Sequence, residues 1–347
     1  MSKAFLIPVF AFLLVTLTSC VDESKTDDPS VDEVNLYSSR HYDTDQALYD
    51  NFTEATGIKV NLIEAGADEL IARIQSEGVS SPADLLITVD AGRLWRAEQA
   101  GIFQPVNSAV LADRLPDNMR HPEGLWMGLS KRARVIVYNR AAGMPEPLAT
   151  YADLANPAHQ GMVCIRSSSN IYNISLMASI VARNGEPAAE EWAAGVVANF
   201  ARTPQSNDTG QIRAVASGEC GIAIANTYYL ARLAASEDPQ DQAVAAAVGI
   251  VFPDQEGNGT HVNISGAGLV KTAPNPENAI RFLEYLASDQ AQLLFANGNY
   301  EYPAVPGIAA TSTVVALGDF AEDSLSTSEL GVHQAAALMV FDRAGWK

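Results

Sequence analysis

Val34-Asn35-Leu36-Tyr37-Ser38, Ile58-Lys59-Val60-Asn61-Leu62-Ile63 and Ala83-Asp84-Leu85-Leu86-Ile87-Thr88-Val89 are three short apolar runs that read as strands. Helical patterns lie between and after them. Thr44 to Thr56 places Leu48, Phe52 and Ala55 on one stripe, with Asp43 or Thr44 as the expected cap and Gly57 as the stop. Asp68 to Glu77 turns Leu70, Ile71 and Ile74 to one side, and Gly92 to Ala100 continues as a third helix. Strand–helix–strand–helix–strand is the pattern of parallel strands joined by crossover helices, an α/β fold.

Leu125 to Asn139 extends this reading downstream as a long strand carrying Lys131, Arg132 and Arg134, able to pass from one lobe to the next. Further strands are expected at 161–165, 221–225 and 262–271, and helices at 169–184, 187–200, 209–217, 276–287 and 289–295. The expected division is a first lobe over 33–130, a second over 131–262, a return to the first over 263–309 and C-terminal helices on the second over 310–347. Ligands of open α/β sheets bind beyond the carboxyl ends of strands, so the residues just after strands carry the functional interest.

The chain has 347 residues and a net charge of −19, with 48% hydrophobic and 18% charged residues. It has enough apolar material for two substantial cores, which excludes disorder over most of its length. The acidic balance argues against nucleic acid as a partner, because phosphate backbones need a basic face. Lys3 and the uncharged run Ala4 to Leu17 read as an export signal too short to span a bilayer. Leu17-Thr18-Ser19-Cys20 resembles a bacterial lipobox. Residues 1–19 are then the signal peptide and Cys20 the lipidated first residue. Residues 20–32 form an acidic tether, and the lipid is the only expected contact with a membrane. In that oxidising periplasmic compartment, Cys164 and Cys220 either pair or remain two buried thiols.

Three tyrosine-bearing segments follow strands: Arg40-His41-Tyr42, Asn170-Ile171-Tyr172-Asn173 and Asn226-Thr227-Tyr228-Tyr229. A phenol is neutral at pH 7, but a strongly charged cation draws off its proton. The resulting phenolate is a hard anionic oxygen that suits ferric iron better than zinc or copper(I). The doublet at a strand-to-helix junction lets both rings reach one ion, and Arg232 falls one turn beyond it. Packing is the commoner use of any one such tyrosine. Ser167-Ser168-Ser169-Asn170 reads first as a helix N-cap, and also as an anion cradle.

Leu36-Tyr37-Ser38-Ser39-Arg40-His41-Tyr42, Ser81-Pro82-Ala83-Asp84 and Asn226-Thr227-Tyr228-Tyr229 together resemble bacterial ferric-iron-binding proteins, the solute-binding components of iron ABC importers. The similarity is greatest to the cyanobacterial-type, tyrosine-rich branch. Gly57-Ile58-Lys59-Val60 and Asn299-Tyr300-Glu301-Tyr302-Pro303 fit the same family, so the resemblance runs from about Val34 to Gly307. It implies a two-lobed periplasmic-binding-protein fold of type II-like form, with a hinge and an inter-lobe cleft. It implies Fe3+ as transported ligand, held by His41, Tyr42, Tyr172, Tyr228 and Tyr229, with room for an accessory anion. Arg40, Arg132 and Arg134 lie in matching segments and either balance phenolate charge or form simple salt bridges with an acidic body; Arg232, one turn beyond the doublet, is placed to favour the phenolates or to pair an accessory anion. One branch of the family has a ligand Glu where this chain has Val89. The partners implied are the permease and ATPase of an ABC importer, and a monomeric receptor is expected.

Two rivals follow from the same residues. One is the same fold binding a small anionic or phosphorylated organic solute through Ser167 to Asn170 and the arginines. The other is a hydrolase or transferase, against which stands the lack of a Gly-x-Ser-x-Gly elbow, a His-Glu-x-x-His helix or a P-loop; the chain reads as a binding protein, not an enzyme.

Overall fold

The computed structural model describes Met1 and residues 32–40, 42–205 and 207–347. The signal peptide, the lipobox with Cys20, the tether to residue 31 and His41 lie outside the described residues. From Asp32 to Lys347 the chain is one compact unit.

The opening pattern folds as β1 (Glu33–Ser38), α1 (Gln46–Thr56), β2 (Lys59–Glu64), α2 (Ala67–Glu77), β3 (Leu85–Val89) and α3 (Ala91–Gln99). Both β2 and β3 pair with β1 in parallel, as crossover connections require. Helix α1 is not capped by Asp43 or Thr44. Asp43–Asp45 forms a 3-10 turn, and Asp45 takes the N-cap position without a side-chain cap. Its carboxylate is bound to Arg40 instead.

Short β4 (Phe103–Gln104) and α4 (Ala109–Arg114) lead to β5 (Met127–Asn139). Strand β5 is the spine of the molecule. Its first half, to Ala133, pairs antiparallel with β9 (Val262–Val270), which also pairs with β3. Its second half, from Arg134, lies between β7 (Ile222–Asn226) and β8 (Val248–Val251). The short β6 (Val163–Cys164) pairs with β7 in parallel, and β10 (Tyr302–Pro303) pairs with the first half of β5. The sheet is therefore mixed, and β5 feeds two separate cores. One core gathers around Leu36, Phe52, Leu86, Trp126 and Phe282. The other lies on the two faces of the second half of β5, around Ile136, Met177 and Ile224 on one side and Val135, Ile212 and Ala225 on the other.

The remaining helices are α5 (Ile171–Asn184), α6 (Glu186–Ala198), α7 (Asp208–Ala216), α8 (Thr227–Ala235), α9 (Pro239–Ala247), α10 (Pro276–Leu286), α11 (Asp289–Asn299), α12 (Ser312–Val315), α13 (Glu329–Val332) and α14 (Gln334–Ala344). Helix α14 packs on α5 and α6, whereas α13 touches both α3 and α5. None of the described helices is long and apolar enough to cross a membrane.

Cys164 and Cys220 form a disulfide with Cα atoms 5.8 Å apart, which settles the alternative left open by the sequence. Cys164 ends β6, and Cys220 lies two residues before β7, the parallel neighbour of β6.

Asp90 joins β3 to α3 at φ 87°, outside the region most side chains tolerate. Its buried carboxylate accepts hydrogen bonds from Gly92 N at 2.8 Å, Ser175 Oγ at 2.6 Å and Asn263 Nδ2 at 2.9 Å. Ser175 lies on α5 and Asn263 on β9, so this one carboxylate ties the first core to the second and to the strand between them. Replacing Ser175 with Ala removes a charge-assisted bond to a buried group. It is expected to lower stability by about 2 kcal/mol in urea unfolding.

Candidate metal centre

Strand β7 ends at Asn226 and α8 begins at Thr227, so Tyr228 and Tyr229 occupy the first turn of that helix. Their rings lie 4.3 Å apart between centroids and are tilted by 32°. Tyr172 is the second residue of α5, after β6. Its hydroxyl is 3.3 Å from that of Tyr228, which donates to it. Tyr42 follows β1 and immediately precedes the 3-10 turn. Arg232, one turn beyond the doublet, spans the two groups: its guanidinium carbon is 4.8 Å from the Tyr42 ring centroid and 4.9 Å from that of Tyr228. The Arg40 guanidinium covers Tyr42 at 4.9 Å. The structure thus brings Tyr42, Tyr172, Tyr228 and Tyr229 to one place beside the middle of β5, with Arg40, Arg132 and Arg232 around them. Val89 closes β3, and its neighbour Asp90 is committed to the contacts described above.

Burial is the main influence on these phenols. It pushes Tyr228 well above the ordinary value near 10, reinforced by Tyr172, Tyr229 and Tyr42 and opposed by Arg132. Burial also raises Tyr172, with Arg132 opposing it and Tyr229 adding to the rise. Tyr42 is raised first by burial and then by Glu301, against Arg40 and Arg132. Three phenols raised together, each partly offset by a nearby arginine, describe neutral groups held where they can become anions when a cation arrives.

Arg40, Arg132 and Arg134 all form buried ion pairs. Arg40 binds Asp45 at 2.7 Å and Glu301 at 3.2 Å, and Arg132 reaches Glu301 at 3.3 Å and Ser265 Oγ at 2.9 Å. Glu301 also accepts from Ser130 Oγ at 2.8 Å. Burial on its own would raise Glu301, but Arg40 and Arg132 outweigh it and hold the carboxyl below the ordinary glutamate value. The Nε and Nη1 atoms of Arg132 are buried without a hydrogen-bond partner among the described residues. Arg134 sits deeper, paired to Asp208 at 3.0 Å. Sequence reasoning missed Glu301, Asp208 and Arg166 as parts of this site. Only the presence of Glu301 inside the Asn299–Pro303 motif hinted at one of them.

Asn170 stands at the N-cap of α5 but provides no side-chain cap, and the hydroxyls of Ser167 and Ser169 bond to each other at 2.9 Å. The expected serine–asparagine cap is not formed: the two serines engage each other, and Asn170 Oδ1 is buried without a hydrogen-bond partner among the described residues. Among the described residues no group of three or more His, Cys, Asp or Glu is arranged to hold a metal ion. The oxygen groups that meet here are the phenols of Tyr42, Tyr172, Tyr228 and Tyr229.

The family model described as bacterial extracellular solute-binding protein matches residues 47–322. The chain belongs to the bacterial extracellular solute-binding proteins. It is 53% identical to Iron uptake protein A1 of Synechocystis sp., over 99% of this chain and 96% of the relative. It is 54% identical to Iron uptake protein A2 of the same organism, over 90% of both chains. Among solved structures, a Trichodesmium IdiA (FutA) in complex with iron and citrate superposes with a TM-score of 0.89 at 58% identity, covering 91% of this chain and all of that one. These relatives are solute-binding transport proteins of two-lobed α/β fold, so this member of the family is a binding protein and not an enzyme.

Proposed function

We propose that this chain is an extracytoplasmic receptor that binds ferric iron through the phenolates of Tyr42, Tyr172, Tyr228 and Tyr229 and delivers it to the permease and ATPase of an ABC importer. The observation that carries the reading is the convergence of four phenols, from three strand ends, on one site poor in free carboxylates. His41, next to Tyr42 in sequence, is the fifth candidate ligand. Family membership supports the transport role, and the iron-related names of the relatives support the choice of ion. The lobes assigned from sequence, 33–130 with 263–309 and 131–262 with 310–347, would close over the ion about β5 and β9. Cys20 would carry the lipid of a monomeric, periplasmic receptor.

Four phenolates would leave a ferric ion with excess negative charge, and Arg132 and Arg232 offset it. The unpartnered nitrogens of Arg132 support an accessory anion accompanying the ion. The rival small-anion receptor loses most of its recognition groups, because Arg40 and Arg134 are engaged by carboxylates and Ser167 by Ser169.

The raised phenols fix the sign of the pH dependence. They are protonated in the empty protein at neutral pH, so each must release a proton when it ligates. Ferric affinity therefore rises with pH and falls with acid, by about tenfold per pH unit for each phenol deprotonated. Equilibrium dialysis against chelated ferric iron at fixed free-ion activity tests both points. One ion bound per chain with affinity falling towards acid pH is expected. No bound iron, or binding indifferent to pH, would overturn the reading.

A further inference from the structure

Beneath the second-lobe tyrosines lies a polar network that the proposed ligand set does not include. Asp208, the first residue of α7, is fully buried. Its carboxylate accepts from Arg134 Nη1 at 3.0 Å, from Arg166 Nη1 at 3.4 Å and from the backbone N of Asn226 at 3.0 Å. Arg134 also donates to Asn226 Oδ1 at 3.1 Å and, through Nη2, to Asn173 Oδ1 at 2.7 Å. Asn173 in turn donates from Nδ2 to the backbone oxygens of Arg166 at 2.8 Å and Ser167 at 3.2 Å.

The connectivity is specific. Asn226 is the N-cap of the helix that carries Tyr228 and Tyr229, and Asn173 adjoins Tyr172 on the other ligand-bearing helix. The Asp208–Arg134 pair therefore clamps together the two helix starts whose phenols must meet at one ion. The charges are also unequal. Two guanidinium groups share one carboxylate, and both approach the Tyr172 ring, with carbon-to-centroid distances of 5.5 Å for Arg166 and 5.9 Å for Arg134. The cluster therefore carries one net positive charge beside the Tyr172 ring.

We propose that Asp208, Arg134 and Arg166 are positioning residues for ferric binding: the first two set the register of the three second-lobe tyrosines, and Arg166 supplies the uncompensated charge that stabilises the Tyr172 phenolate. This assignment rests on the phenolate reading given above. A positive charge beside a phenolate lowers its donor orbital and so raises the energy of the phenolate-to-iron charge-transfer transition. Arg166 is the informative position, because its side chain is partly exposed whereas Asp208 is not.

The experiment compares the parent, Arg166→Gln and Arg166→Lys, each loaded with ferric citrate, by visible absorption and by competition with a chelator. Thermal unfolding of each protein checks its folding. Arg166→Gln is expected to fold like the parent, shift the band to lower energy and bind iron about tenfold more weakly, the lower end of the range for partners of ligands. Arg166→Lys is expected to return both readouts towards the parent. A parent with the band whose Arg166→Gln variant has the same band and affinity overturns this assignment alone. A parent that binds iron without a charge-transfer band overturns the phenolate reading and the assignment with it.

Discussion

Tyr228→Phe is expected to weaken ferric binding by about 100-fold or more. The substitution removes one oxygen and leaves the ring, which is 1% exposed, in its packing against Tyr229 and Arg232. The folded protein loses only the hydrogen bond to Tyr172, about 1 kcal/mol. Iron binding loses a ligand. Removing a partner that merely orients a ligand costs about 10–100-fold in affinity, so losing the ligand itself sets a larger expectation. Tyr285→Phe is the matched control, since Tyr285 packs against Phe52 in the first core. Chelator competition on the parent and both variants checks the prediction. Equal losses in the two variants would show that the effect is not ligation.

The largest effect on stability is expected at Glu301. This carboxylate is fully buried and compensates Arg40 and Arg132, both also buried. Removing one member of such a cluster leaves charge stranded in a medium that solvates it poorly. Glu301→Gln is accordingly expected to cost about 3–5 kcal/mol, read as a lowered urea midpoint at pH 7. The sign with pH follows from the depressed carboxyl. Its contribution is fully present above the unfolded glutamate value of about 4.3 and is lost as pH falls through the lower folded value. The difference between parent and Glu301→Gln should therefore shrink in acid. An unchanged midpoint at pH 7 would contradict the role given to the Arg40–Glu301–Arg132 cluster.

The fold was legible where local periodicity and tertiary burial agree. Strands β1, β3, β5, β7 and β9 bury apolar runs that mark them as strands before any pairing is known, and β2 is a half-buried edge strand whose apolar residues gave the same reading. The short β4, β6, β8 and β10 exist by virtue of their partners, and only β6 lay inside an expected strand. The cap of α1 differs from the expected Asp43 or Thr44 because those residues fall inside a 3-10 turn that delays the α-helical start to Gln46. Tyr42, Tyr172, Tyr228 and Tyr229 were legible as candidates because each follows a strand. Their electrostatic support was not. Glu301 meets Arg40 across 261 residues and Asp208 meets Arg134 across 74, and no local pattern records such a pairing. Cys164 and Cys220 lie 56 residues apart, and only their approach in the folded chain, with Cα atoms 5.8 Å apart, decides that they bond.

The central claim is that phenolates hold the ion. Its most direct test is a titration of the iron-free protein with ferric citrate, followed by visible absorption and by resonance Raman scattering excited in the resulting band. A phenolate-to-iron charge-transfer band that saturates at one ion per chain, with tyrosinate ring modes in the Raman spectrum, is the predicted result. Iron bound without that band and those modes, or no iron bound at all, would contradict it.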